Sequence, residues 1–125
     1  MATLIDQDFF ARLRALNDKF AAGVPDTLAR LGAIRASFLP EAPAPAQVTE
    51  LHQILHTVAG SAATFGFRTM GQQARALEQR LRVLMAFEVV RARDWENWLA
   101  GLDEYLAWAA SDPRSDDYPY DRSQQ

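Results

Sequence analysis

The stretch Leu51-His52-Gln53-Ile54-Leu55-His56-Thr57-Val58-Ala59-Gly60-Ser61-Ala62-Ala63-Thr64-Phe65-Gly66 decides how the chain folds. With Val48 just upstream, it carries a core stripe of Val48, Leu51, Leu55, Val58, Ala62 and Phe65. Steps of three and four residues place them on one face of a helix, and nothing alternates as a strand would. Gly66 stands where a helix ends in the left-handed conformation. The spacing predicts a helix from about Ala46 to Phe65.

Working outward, the same period holds on both sides. Upstream, Pro40, Pro43 and Pro45 mark an extended connection. Before it runs a long stripe of Phe9, Leu13, Leu16, Phe20, Val24, Leu28, Leu31, Ile34 and Phe38. Pro25 interrupts this stripe and would ordinarily break a helix, yet the stripe keeps its phase across it. One long helix from about Ile5 to Ser37, kinked at Pro25, is the preferred reading. Two helices hinged at Gly23 remain the alternative. Downstream, Met70, Ala74, Leu77, Leu81 and Leu84 predict a helix over about Thr69 to Phe87. Trp95, Trp98, Leu102, Tyr105 and Ala109 predict another over about Arg91 to Ala110. The fold class is all-α: an antiparallel up-down four-helix bundle over residues 1–112. Residues 113–125 are polar and aperiodic, and read as a flexible tail.

Composition bounds the function. The 125 residues are 49% hydrophobic and 23% charged, which suits one globular domain. The net charge of −3 argues against a nucleic-acid binder, which needs a basic stripe. The absence of cysteine excludes disulfides, a thiol nucleophile and Cys-ligated zinc. The charge-free run over Leu55–Phe67 carries His, Thr, Ser and Gly and is shorter than the roughly 20 apolar residues of a membrane span. No basic or apolar leader opens the sequence. A soluble cytoplasmic monomer is expected.

The two histidines, His52 and His56, lie four apart and share a helix face. Each follows a core residue by one position, so both sit at the solvent edge of the buried stripe. Ala59, Gly60 and Ala63 share the face of His56 and carry little or no side chain. Gly60 costs about 1 kcal/mol relative to alanine in a helix interior. Two explanations weigh equally. Either a partner surface must approach the imidazole closely, or Gly60 allows tight helix packing.

The run from Leu55 to Phe67, followed by Ala74-Arg75-Ala76-Leu77-Glu78, resembles the signature of histidine-containing phosphotransfer (HPt) domains of the stand-alone type. His56, Gly60, Ser61, Gly66, Leu77 and Glu78 match at the family's offsets. The resemblance implies a phosphorelay carrier. His56 would take a phosphoryl group from a receiver aspartate and pass it to another. Such a transfer needs an exposed, neutral imidazole held in one tautomer. Glu78 would orient the ring, unless it is simply a solvated surface glutamate. His52, Ala59, Gly60, Ala63 and Arg75 would form the receiver-docking face. The implied partners are response-regulator receivers and a hybrid histidine kinase. No bound cofactor is implied, because the Mg²⁺ of the reaction belongs to the receiver.

One position departs from the family. The lysine often found three residues after the histidine is Ala59 here. Arg82, four residues beyond Glu78, is the expected substitute for its charge, with Arg75 second. The main alternative is a bundle of the same shape that docks receiver or kinase domains without being phosphorylated. A zinc site at His52-x-x-x-His56 lacks a third ligand motif. Ser61 lacks a nucleophile elbow. The tryptophans on the last helix are at core spacing.

Overall fold

A computed structural model describes residues 2–120, with side chains from residue 6 onward. Four helices make up the chain: α1 (Ala2–Ser37), α2 (Pro45–Ser61), α3 (Arg68–Met85) and α4 (Ala92–Ser111). Among the described residues there is no strand. The chain runs up, down, up, down. Cross-helix pairs fix this order. Arg30 meets Glu50 between α1 and α2. Trp98 Nε1 donates to Leu77 O at 3.0 Å, and the Tyr105 hydroxyl to Met70 O at 3.0 Å, between α3 and α4. Arg35 grips Asp103 with two bonds of 2.8 and 3.0 Å between α1 and α4.

The long first helix is unbroken for 36 residues, through Pro25. Of the two expectations, the single helix is therefore right. The Thr27 hydroxyl, at 3.1 Å, takes the Gly23 carbonyl beside the break that proline makes in the ladder. At 1.5 Å per residue α1 spans roughly 54 Å, about twice the length of the 17-residue α2. It overhangs the bundle for that reason. From Phe20 onward the expected stripe is buried or half-buried: Phe20 stacks on Phe65 and Phe67, and Val24, Leu31, Ile34 and Phe38 enter the core. Earlier in the helix Phe9 and Leu16 are exposed. Periodicity marks a face, and here no helix covers its first part.

Other boundaries shift for local reasons. The expected second helix keeps α-geometry only to Ser61 and tightens into a 3₁₀ turn over Ala62–Phe65. The Ser61 hydroxyl bonds back to Thr57 O at 2.7 Å, and Ser61 itself leaves the helical region with φ −122°. Gly66 then adopts φ +89°, a region that favours glycine. This sharp corner brings Gly71 of α3 against Ala62. A methyl at Gly71 would stand 3.3 Å from the Ala62 Cβ and 3.4 Å from the Ala63 nitrogen. The third helix ends at Met85, two residues before the expected Phe87, and the fourth covers Ala92–Ser111 in place of Arg91–Ala110.

Residues 113–118, part of the expected flexible tail, make contacts with the bundle. Trp108 Nε1 donates to Asp117 O at 2.7 Å, Tyr118 packs edge-on against Trp108, and the Arg114 guanidinium lies 4.8 Å from the centre of the Phe67 ring. The segment has no helical apolar period, but its aromatic and cationic side chains still find partners on the bundle. Residues 121–125 of that expected tail lie outside the described residues.

Candidate functional site

α2 and α3 pack as an antiparallel pair with the sharp Gly66 corner at one end. The core stripe of α2 (Leu51, Leu55, Val58) fixes the helix rotation, because those side chains are buried. His56, one residue beyond Leu55, is turned outward and its side chain is 72% exposed. Glu78, one residue beyond the buried Leu77, is turned inward and its side chain is only 6% exposed. The solvated-glutamate reading is therefore wrong, since α3 carries Glu78 into the helix interface.

A single oxygen joins the three ionisable groups of the site. Glu78 Oε1 lies 3.4 Å from His56 Nδ1 and 3.0 Å from His52 Nε2. Neither approach has the direction of a good hydrogen bond, and the buried His52 Nε2 has no hydrogen-bond partner of proper geometry. These are short electrostatic contacts and not hydrogen bonds of good geometry. The two imidazoles lie nearly parallel, 13° apart, with centres separated by 6.0 Å. Because Nδ1 of His56 faces the carboxylate, its Nε2 is the nitrogen left to solvent. Among the described residues no group of three or more His, Asp or Glu has the arrangement of a metal site.

The small residues flank this nitrogen. Gly60 is exposed on the face of His56, and a methyl built there meets nothing within 4 Å. Tight helix packing thus does not explain Gly60. Ala63 is exposed and Ala59 half-buried beside it. Arg75 crosses from α3, and its Nη2 donates to Ala59 O at 3.2 Å. A guanidinium therefore stands at the level where the sequence lacks a lysine.

Arg82 is exposed one turn beyond Glu78 in the opposite direction. The antiparallel register sets it level with His52, so the structure brings Arg75 to the Ala59 side of His56 and leaves Arg82 on the other. Sequence spacing ranked Arg82 first because it shares the face of Glu78. The inter-helix register, invisible in spacing, sets Arg75 and not Arg82 beside Ala59. Two participants were missed in the sequence. The contact of His52 with Glu78 was one, although its place one turn before His56 was a usable hint. Gly71 was the other, with no signal beyond being a glycine inside a helical pattern.

A family model for the Hpt domain matches residues 8–111. The chain belongs to the Hpt domain family, whose members are the histidine phosphotransfer modules of phosphorelays and interact with receiver domains and kinases. Searches of curated proteins and of solved structures return no match. Among the described residues no helix is long and apolar enough to cross a membrane.

Proposed function

We propose that this protein carries a phosphoryl group on His56 Nε2 between the aspartates of receiver domains, acting as a monomer in the cytoplasm. One observation carries the reading: an exposed imidazole presents Nε2 outward while Nδ1 faces a buried carboxylate. That arrangement selects the tautomer with the proton on Nδ1 and leaves the Nε2 lone pair as nucleophile.

The reaction balances without any proton crossing the site. The Nε2 lone pair attacks the phosphorus of the receiver's aspartyl phosphate in line. The N–P bond forms as the P–O bond breaks, and the electron pair leaves with the aspartate. The ring becomes a phosphorylated imidazolium that keeps its Nδ1 proton. Positive charge then grows 3.4 Å from Glu78 Oε1, where a preplaced anion stabilises it. Arg75 balances the phosphoryl oxygens from the Ala59 side. Gly60, Ala63 and Ala59 leave the receiver room to reach the nitrogen. The divalent metal this chemistry calls for comes with the receiver.

The test is incubation with phosphorylated receivers. Wild type acquires acid-labile phosphate, and His56→Gln acquires none. Uptake by no receiver of its own organism would leave a docking bundle that is not phosphorylated.

A further inference from the structure

Glu78 is a buried carboxylate without a cationic residue to hold it. Among the described residues it makes no ion pair with lysine or arginine, and its ionisable partners are the two histidines. It stands closer to His52, at 3.0 Å, than to His56, at 3.4 Å. The Nε2 of His52 is fully buried and has no hydrogen-bond partner of proper geometry, although a quarter of the side chain is exposed. A nitrogen buried this way normally finds a partner, because leaving it unsatisfied is costly. The carboxylate oxygen 3.0 Å away is the same one that faces His56.

We propose that His52 is a positioning residue for phosphotransfer. Its Nε2–H holds the Glu78 carboxylate at the His56 end of the helix interface. This rests on the phosphotransfer reading for its purpose, but not for its geometry. A glutamate has three side-chain torsions and many rotamers. With His52 beside it, Oε1 is kept within reach of His56 Nδ1 in the resting state. As the His56 ring gains positive charge, the carboxylate turns from His52 towards it, and the 0.4 Å difference between the two distances closes. Without His52 the carboxylate is free to rotate away, and the proton of His56 is no longer fixed on Nδ1.

The experiment uses the full chain with four substitutions. His52→Leu removes the donor while keeping bulk. His52→Gln restores an N–H at similar reach. Glu78→Leu and the double variant His52→Leu/Glu78→Leu complete a cycle that isolates the coupling. Transfer rate from a phosphorylated receiver is one readout. The other is the His56 tautomer, read from the side-chain nitrogen signals by NMR, which a merely structural role would not move. His52→Leu should slow transfer about tenfold, the scale of one hydrogen bond to a charged group. It should also reveal a second His56 tautomer. His52→Gln should recover most of the rate, and His52→Leu should have no further effect once Glu78 is leucine.

The proposal is overturned if the His56 tautomer is the same in wild type and His52→Leu. It is equally overturned if the loss persists in the Glu78→Leu background. Should His52→Leu not fold, His52→Asn, whose amide is too short to reach, takes its place. If wild type takes up no phosphate at all, the phosphotransfer reading fails while the tautomer measurement still decides the role of His52.

Discussion

Replacing Gly60 with alanine should make the protein more stable. A glycine inside a helix costs about 0.8–1.0 kcal/mol relative to alanine, mostly through the greater freedom of the unfolded chain. Gly60 is next to the last residue of α2, Ser61, so a fraction of that is expected: about 0.5–1 kcal/mol. Nothing offsets the gain, because the added methyl meets no atom within 4 Å and the backbone there is ordinary helix. For a domain of this size the melting temperature rises by roughly 2–5 °C. Leucine has nearly the propensity of alanine and should give a similar gain, but its side chain projects over the face of His56. There it obstructs the receiver, and a misplacement of about 1 Å can cost a hundredfold in rate. Urea unfolding followed by tryptophan fluorescence, run beside a transfer assay on Gly60→Ala and Gly60→Leu, separates the two effects. The expected pattern is stabilisation in both variants and lost transfer in the leucine variant. A destabilised Gly60→Ala would mean that the glycine serves packing after all. A Gly60→Leu protein that transfers at the wild-type rate would refute the clearance argument.

Other substitutions probe the remaining features. Arg75→Gln should slow phosphotransfer about tenfold and Arg82→Gln less than about threefold, since of the two only Arg75 stands beside Ala59; initial rates with one receiver compare them. Tyr105→Phe should cost about 1–2 kcal/mol in urea unfolding, because it strips Met70 O of its buried donor. Burial also raises the Tyr105 phenol above its ordinary value of 10.0, so the unfolded chain loses its proton first. Stability is therefore intact below pH 10 and falls above it, by about 1.4 kcal/mol per pH unit from this group, and a pH series on Tyr105→Phe should lack that component. Truncation after Asp112 removes the Asp117 acceptor of Trp108, the Tyr118 ring and the Arg114 cation. It should cost about 1–2 kcal/mol and shift tryptophan emission to the red.

The bundle was legible because apolar spacing alone determines which helix faces are buried. Val58 and Leu77 needed no structure to be placed inside. Phe9 and Leu16 show the limit of that rule. They keep the period of α1, but whether a face is covered depends on the length of its neighbours, and α2 is too short to reach them. Residues 113–118 show the complementary limit, since a segment with no period can still dock through single aromatic and cationic contacts. At the site, His56 and Gly60 could be placed from spacing on one helix. Glu78, Arg75 and Arg82 could not, because their roles depend on the register between two helices. That register is set by the Gly66 corner and the close approach of Gly71 to Ala62, and neither appears in a count of apolar steps.

The residues around His56 also share a thermodynamic signature. Glu78 sits in a helix interface where a leucine of similar size would pack without desolvating a charge, and buried ionic groups of this kind are often replaceable at no loss of stability. Gly60 weakens the helix that carries His56. Ser61 turns its hydroxyl back onto the backbone and helps end the α-helical run one turn after His56. Arg75 gives one donor to a carbonyl and leaves the rest of its guanidinium without a protein partner among the described residues. None of these choices is what the bundle needs for its own sake, and each lies within about one turn of His56 or directly across from it. Elsewhere the local rules and the fold agree: apolar residues are buried, and Trp98 and Tyr105 find partners for their polar atoms. A cluster of local violations around one exposed side chain, in an otherwise consistent bundle, is what a site shaped for an incoming surface leaves behind. The violations also fall on different atoms of His56. In the proposed transfer Glu78 would act on Nδ1, Gly60 would clear the path to Nε2, and Arg75 would add charge where the arriving group must sit. Chance relaxation of packing would not divide its effects between the two nitrogens of a single ring.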